Sequence, residues 1–403
     1  MKVKWEEAKR IILENTEPVK ETELLVLEEA EGRVLSENVV SPIDVPDVNK
    51  SAIDGFAFRS SSLKKLPAEL KIVGETAAGD TEKKEVKEGE AVFVMTGGEI
   101  PEGADAAVRV EDVKVEGDRV IVDFPLQPGT LVNFKGSEIK KGEVLIERGE
   151  LLDSLKVSLL AYVGVYAVKV FRKPKVGILT TGNEILEPWE SFKRGYAYNS
   201  NYYLLKSLVE KAGGEAVRLG KAEDEPEALL KAIEEGLNHV DILVTTGGVS
   251  KGRYDFVKEV VHRAGIEVFF KQTNIRPGRP LVFGRKGRKL FFGLPGYPTA
   301  AAVNALEFLI PAVRKMAGIR NYQNNYVEAV AEERLKSRPQ RVDFIRVKVR
   351  EENGCLKVKS AGSQQTSVFR SFVDSDGLAV VPEGRGPVEP GEKVKVLLLK
   401  EFL

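Results

Sequence analysis

The chain of 403 residues has one cysteine, Cys355, and two histidines, His239 and His262. A single thiol excludes an internal disulfide and fits a reducing compartment. So few thiols and imidazoles also leave out the ligand sets from which zinc sites are built. No apolar run approaches the roughly 20 residues of a membrane-crossing helix. The opening MKVKWEEAKRIILENT carries charge throughout, with no secretory apolar core. Lys+Arg 61 balances Asp+Glu 61, so no general attraction to nucleic acid or to an anionic membrane is predicted. A cytoplasmic location is expected. Three common signatures are also absent: GxxxxGK[ST], GxGxxG and the Gly-x-Ser-x-Gly elbow, which removes a P-loop, a dinucleotide fingerprint and a serine-hydrolase turn.

What is present is enough apolar content, 42%, for ordinary cores, in a chain too long for one. The pattern predicts a multidomain α/β plus β protein. Residues 1–50 and 135–170 read as an elongated, linker-rich part, with a helix around Trp5, Ala8, Ile11 and Ile12 and a second in LLDSLKVSLLAYVG. Within it, 41–60 (SPIDVPDVNKSAIDGFAFRS) is Pro- and Asp-rich and reads as a linker ending in a turn at Asp54-Gly55. Residues 51–134 carry short β-type runs, a small β-rich domain. Residues 171–320 alternate strand and helix and end in a helix over 299–316, which predicts a mostly parallel sheet covered on both faces. Residues 325–403 return to strands, a C-terminal β domain.

In an open α/β sheet, ligands sit beyond the carboxyl ends of the strands, and that is where the glycine turns fall. Thr180-Thr181-Gly182-Asn183-Glu184 ends the first strand of the α/β part. Thr245-Thr246-Gly247-Gly248 ends the third, with a helical pattern resuming at Tyr254 and Asp255 at its start. Strand, glycine turn and helix aim backbone N–H groups at an anion. Arg276-Pro277-Gly278-Arg279 follows, two guanidinium groups on a stiff stem able to converge on an oxyanion. Leu294-Pro295-Gly296-Tyr297-Pro298 makes a third turn. Each alone reads as an ordinary connection; together they predict one ligand site. Glu184 and Asp224 are candidate Mg²⁺ contacts, since magnesium takes carboxylates with phosphate oxygens. Asp54 has the same double reading, turn residue or site acid.

The motifs, taken in order, resemble the molybdopterin molybdenumtransferase family (MoeA, or gephyrin E-domain, family). They are SPIDVPDVNKSAIDGFA at 41–57, TGGEIPEGADAAV at 96–108, TTGNE, TTGGVSKGRYD, RPGRPLVFG, LPGYPTAA, FIR at 344–346 and GSQQTSVFRSF at 362–372. The resemblance covers essentially the whole chain. It implies a central molybdopterin-binding α/β domain, a small β-rich N-terminal domain, a barrel-like C-terminal domain, and a homodimer with the site shared between subunits. The implied reaction inserts molybdate, or tungstate, into adenylylated molybdopterin with Mg²⁺ and releases AMP. The molybdopterin adenylyltransferase is the implied partner, and no nucleic acid or membrane is involved. By position, Thr181, Gly182, Glu184, Asp224, Thr246, Gly247, Gly248, Ser250, Asp255, Pro295, Gly296 and Pro298 would line the pterin and phosphate site. Glu184, Asp224 and Asp255 would hold the metal, and Asp54 and Thr96 would approach from the other subunit. Arg276, Pro277, Gly278 and Arg279 would hold the oxyanion, with Arg346 and Ser367. Arginine stands here where the family has its lysine pair, Asn183 replaces an Asp, Tyr297 replaces an Asn, and Glu138 follows a Gly-Ser where the family has Gly-Glu-Asp. Two other readings stay open: the preceding adenylyltransferase step, and a non-catalytic scaffold like the gephyrin E-domain.

Overall fold

The computed structural model describes residues 1–80, 82–247 and 260–402, and contacts divide them into two compact units. The first comprises Met1–Glu37, Arg148–Asp153 and Lys169–Leu403; the second comprises Asn38–Glu147 and Ser154–Val168.

The first unit is built on a seven-stranded sheet. Its strands are β1 (Lys2–Val3), β2 (Lys175–Thr181), β3 (Glu215–Ala222), β4 (Ile242–Thr246), β5 (Glu267–Thr273), β6 (Pro280–Lys286) and β7 (Lys289–Leu294), in the spatial order β1-β5-β6-β7-β4-β2-β3. The pairs β1–β5, β7–β4, β4–β2 and β2–β3 are parallel; β6 runs antiparallel to both neighbours. All five residues of β4 are buried, as expected of a strand covered on both faces. Helices α1 (Trp5–Glu14), α2 (Ser200–Lys211) and α3 (Pro226–His239) pack against this sheet. Asn199 caps α2 by accepting from the Tyr202 N–H at 3.2 Å.

The apolar run after β7 forms one buried rod: α4 (Pro298–Asn304), a π-helical stretch at Ala305–Leu309, and α5 (Ile310–Met316). The expected single helix is therefore interrupted. Pro311 has no N–H to donate to the preceding turn, and the wider stretch lies just before it. Glu307 sits in that stretch fully buried, accepting from Trp5 Nε1 at 3.0 Å and from the Tyr326 hydroxyl at 2.8 Å, with Lys9 Nζ at 3.7 Å. Burial pushes its carboxyl up, against the pull of Lys9. Val260 and Val261, two of the helical residues expected after the second glycine turn, are helical and buried; the start of that pattern at Tyr254 lies outside the described residues.

The C-terminal part closes on itself. Strands β8 (Val327–Ala331), β9 (Val342–Glu352), β10 (Cys355–Ser360), β11 (Gly377–Val381) and β12 (Lys393–Leu398) pair in the cycle β9-β10-β8-β12-β11, and β11 returns to β9. This is a five-stranded barrel around Val347, Val358, Ala379 and Val396, so the barrel-like domain read from the sequence is a closed one.

The second unit centres on a six-stranded sheet within residues 55–122, ordered Ala106–Arg109, Gly55–Phe58, Glu90–Val94, Ala68–Thr76, Arg119–Val122, Lys114–Glu116. Part of the segment read as a linker is thus an inner strand, with all of Gly55–Phe58 buried between two antiparallel partners. Proline and aspartate upstream obscured a run of only four residues. Gly55 is required there, since a Cβ would stand 1.9 Å from the Val108 carbonyl oxygen. Among the described residues no helix is long and apolar enough to cross a membrane.

The starts of β2 and β4 are clamped together. Asp241 accepts from both Arg172 terminal nitrogens, at 2.9 and 3.1 Å, and from the Lys175 N–H at 2.7 Å. Burial raises the Asp241 carboxyl, but the Arg172 and Lys175 bonds outweigh it and hold it below the usual aspartate range. Its contribution is then present at neutral pH and lost as pH falls from the ordinary value through the lower folded one. Asp241→Asn is expected to cost about 1–3 kcal/mol at pH 7, with the gap to wild type in thermal unfolding narrowing at acid pH.

Candidate functional site

Three strand ends meet at the carboxyl edge of the sheet. Because β2 and β4 are parallel and in register, with Thr180 opposite Thr246, their Thr-Thr-Gly turns lie side by side. Thr181 Oγ1 donates to the Thr246 carbonyl at 3.1 Å, and the Gly247 N–H donates to the Leu294 carbonyl at 3.0 Å. Asn201 Nδ2 reaches the Gly296 carbonyl at 2.9 Å. The turns therefore form one hydrogen-bonded cluster. Two glycines make it possible: Gly182 (φ +126°) and Gly247 (φ +96°) are in the left-handed region, and a Cβ on Gly247 would sit 2.8 Å from the Thr181 carbonyl oxygen.

Around this cluster is a cavity of about 1140 Å³. One wall carries Thr181, Gly182, Glu184, Asp224, Thr246 and Gly247; Pro295, Gly296 and Pro298 line it too, with Tyr297 between them. Glu184 and Asp224 are its acids. The Asp224 N–H donates to Asn183 Oδ1 at 3.2 Å, so Asn183 ties the two acidic turns together. The remaining wall carries Arg276, Pro277, Gly278 and Arg279. Their turn is fastened by buried Asn304, whose Nδ2 donates to the Gly278 carbonyl at 3.0 Å. Gly278 is again left-handed (φ +104°), with no room for a Cβ beside Asn304.

The cavity also contains residues that the sequence reading missed: Lys2, Asn199, Asn201, Gln272, Asn274, Gln340, Arg341 and Thr366. Asn199 carried a signal, an Asn directly before an apolar helical pattern. Lys2 carried none, since it reaches the site only because β1 pairs with Gln272 and Thr273. Arg341 is paired with Asp343 at 3.0 Å. Arg279 donates to Gln272 Oε1 at 3.2 Å, and Lys2, Arg276 and Arg279 have no carboxylate partner among the described residues. Cations without a described carboxylate partner and two acids, lining the same cavity, make a site for an anion and a cation together.

Arg346 and Ser367 differ from expectation, because neither lines the cavity. Arg346 is 1% exposed; its guanidinium donates to Gln364 Oε1 at 3.2 Å and to the Gln365 and Val368 carbonyls at 3.2 and 3.3 Å. Burial, and then the charge of nearby Arg276, push its pKa down to about 10. It holds the 364–368 loop, from which Thr366 rather than the exposed Ser367 faces the cavity. Gly248, Ser250 and Asp255 lie outside the described residues. Asp54 and Thr96 belong to the second unit and are joined there: Asp54 Oδ1 accepts from the Thr96 N–H at 2.6 Å and its hydroxyl at 2.8 Å. The Thr96 N–H and hydroxyl bonds hold the exposed Asp54 carboxyl below its usual value. Glu138, also in that unit, accepts from the Tyr162 hydroxyl at 3.1 Å.

Comparison with known proteins assigns three regions. Residues 3–164 match the MoeA N-terminal region (domain I and II), 177–315 the probable molybdopterin binding domain, and 328–399 the MoeA C-terminal region (domain IV). The chain is 35% identical to a molybdopterin molybdenumtransferase of Haemophilus influenzae, covering 97% of each chain. It is 31% identical to one of Bacillus subtilis, covering 94% of this chain and 90% of the other. A molybdopterin biosynthesis MoeA protein from Pyrococcus horikoshii OT3 superposes with a TM-score of 0.86 at 34% identity, over 99% of this chain and 100% of that one.

Gly247→Ala is expected to cost about 1–3 kcal/mol and to open the turn cluster. Thermal unfolding checks the first effect. The second is read as loss of AMP binding in a calorimetric titration, with Gly220→Ala, a left-handed glycine with open space around it, retaining binding.

Proposed function

We propose a reaction from one premise: the chain belongs to the molybdopterin molybdenumtransferase family. The protein takes adenylylated molybdopterin and molybdate, or tungstate, hydrolyses the adenylate linkage with water, releases AMP and leaves the metal on the dithiolene. The observation that carries this reading is that one cavity is lined both by Arg276 and Arg279, which have no carboxylate partner among the described residues, and by Glu184 and Asp224.

The arginines bind the tetrahedral oxyanion. A planar fork suits two oxygens at once, and arginine remains charged at every working pH. Gln272 orients Arg279, and the buried charge of Arg346 raises the positive potential at Arg276. The Thr-Thr-Gly cluster holds the phosphate-bearing ligand against the strand ends. Catalysis of this kind is positional and electrostatic.

The donor set also fits magnesium. It is all oxygen, without thiol or imidazole, and no group of three potential ligands occurs among the described residues. Magnesium takes one or two carboxylates and completes its shell with phosphate and water. Glu184 and Asp224 would hold it, with Asp255 as the third carboxylate. When bound it would neutralise phosphate charge. In a homodimer, Asp54 and Thr96 of a second subunit would complete the site, and their mutual hydrogen bonds support that role by keeping the carboxylate ionised and fixed.

The test is AMP release from adenylylated molybdopterin with Mg²⁺, with and without molybdate. Molybdate-dependent release is expected, falling at least about 100-fold in Arg279→Ala and in Asp255→Ala, the scale of losing one preorganised charge-stabilising group. Asp224→Asn is expected to raise the Mg²⁺ concentration needed for half-maximal release. Release that ignores molybdate, or near wild-type rates in both Ala variants, overturns the reading.

A further inference from the structure

Beside the large cavity is a second, apolar pocket that none of this chemistry uses. We infer that it seats a planar heteroaromatic ring of the ligand whose anionic groups occupy the large cavity. The inference rests on the oxyanion-and-phosphate reading above and adds to it a location for the ring.

The pocket, about 450 Å³, is walled by Tyr198, Tyr203 and Phe369, with Pro188 and Leu204 behind them. It adjoins the large cavity, for Tyr198, Asn199 and Ser200 line both. Tyr198 and Tyr203 remain 43% and 42% exposed, so ring surface is left accessible to a ligand in the pocket.

The polar groups around the pocket are already engaged. Asn199 Nδ2 donates to Thr180 Oγ1 and to Glu187 Oε1, both at 3.0 Å, and its Oδ1 accepts from the Tyr202 N–H. The Tyr198 hydroxyl donates to the Glu190 carbonyl at 3.2 Å. The Tyr203 hydroxyl is tied to Arg218. That guanidinium lies 4.3 Å from the Tyr202 ring centroid and 4.9 Å from that of Trp189, and is paired with Glu187 at 2.5 Å. The rings are thus fixed before a ligand arrives. What they offer is π faces and hydrocarbon, with the exposed Ser200 hydroxyl as the one group left over. Such a pocket recognises a flat ring by stacking and does not read its edge. It should therefore accept different planar bases with similar strength. A sugar or an alkyl chain would gain little there.

Both a nucleotide base and a pterin have this chemistry, and the experiment separates them. The full-length protein is titrated calorimetrically with AMP, GMP, ribose 5-phosphate, 6-hydroxymethylpterin and molybdate. AMP is expected to bind at least about tenfold more tightly than ribose 5-phosphate, the scale of one base on an aromatic side chain, with GMP within a few-fold of AMP. Tyr203→Ala should remove that advantage while leaving ribose 5-phosphate and molybdate unchanged, which also shows that the variant is folded; Phe369→Leu should act in the same direction. If the Tyr203-dependent affinity is instead found for 6-hydroxymethylpterin, the ring site stands and belongs to the pterin end. Ring affinities that do not respond to either variant overturn the inference and leave the proposed reaction intact. Tyr203-dependent ring binding without any molybdate or ribose 5-phosphate binding leaves the ring site and removes the proposed reaction.

Discussion

The parallel pairing of β2 and β4 is the constraint on which the rest depends. At the amino ends Asp241 is locked to Arg172 and to the Lys175 N–H; at the carboxyl ends Thr181 is bonded to the Thr246 carbonyl. Between these two fastenings the strands cannot slip by a residue, which in a parallel pair would carry one turn past the other and reverse every side chain. The glycine turns therefore meet at one level, and β7 adds its own turn through the Gly247–Leu294 bond. A cavity lined by backbone groups needs this accuracy more than a cavity lined by long side chains, which can adjust.

The opposite wall is assembled differently. Its cations come from Ile275–Arg276, which leaves the α/β sheet to run parallel to β9 of the barrel, with Arg276 opposite Asp343. From the barrel side Arg341 and Thr366 join it, and Arg346 stabilises the loop behind. The barrel is closed and offers no free edge to another chain, so this short pairing ties a rigid body to the oxyanion wall. Buried arginine beside Arg276 is tolerated because loop carbonyls accept hydrogen bonds from its N–H groups.

Much of this was legible in the sequence because glycine, proline and arginine mark turns by local rules. The Thr-Thr-Gly, Arg-Pro-Gly-Arg and Pro-Gly-Tyr-Pro stretches announced themselves, and all three reach the cavity. The alternation of strand and helix gave the sheet, and apolar runs near the C-terminus gave barrel strands. What escaped was whatever depends on distant partners. Gly55–Phe58 looked like linker because its burial comes from two flanking strands. The resemblance placed Arg346 with the oxyanion by position, and position does not show that its guanidinium is bonded to the Gln365 and Val368 carbonyls. Asn201 and Gln272 are ordinary residues in ordinary elements, made important by where those elements end.

One such distant pairing orders events in time. Strand β1 precedes its partner, Gln272–Thr273, by some 270 residues, and the Trp5 N–H bonds Asn274 at 2.7 Å while its indole bonds Glu307. Some 270 residues must be made before the amino-terminal segment has anything to hold. Until then Ile11, Ile12 and Trp5 have no cover and are available to chaperones or to a neighbouring nascent chain. The cavity wall that includes Lys2 is thus among the last surfaces completed, and a growing chain cannot display a finished site before its α/β sheet has closed on strand β1.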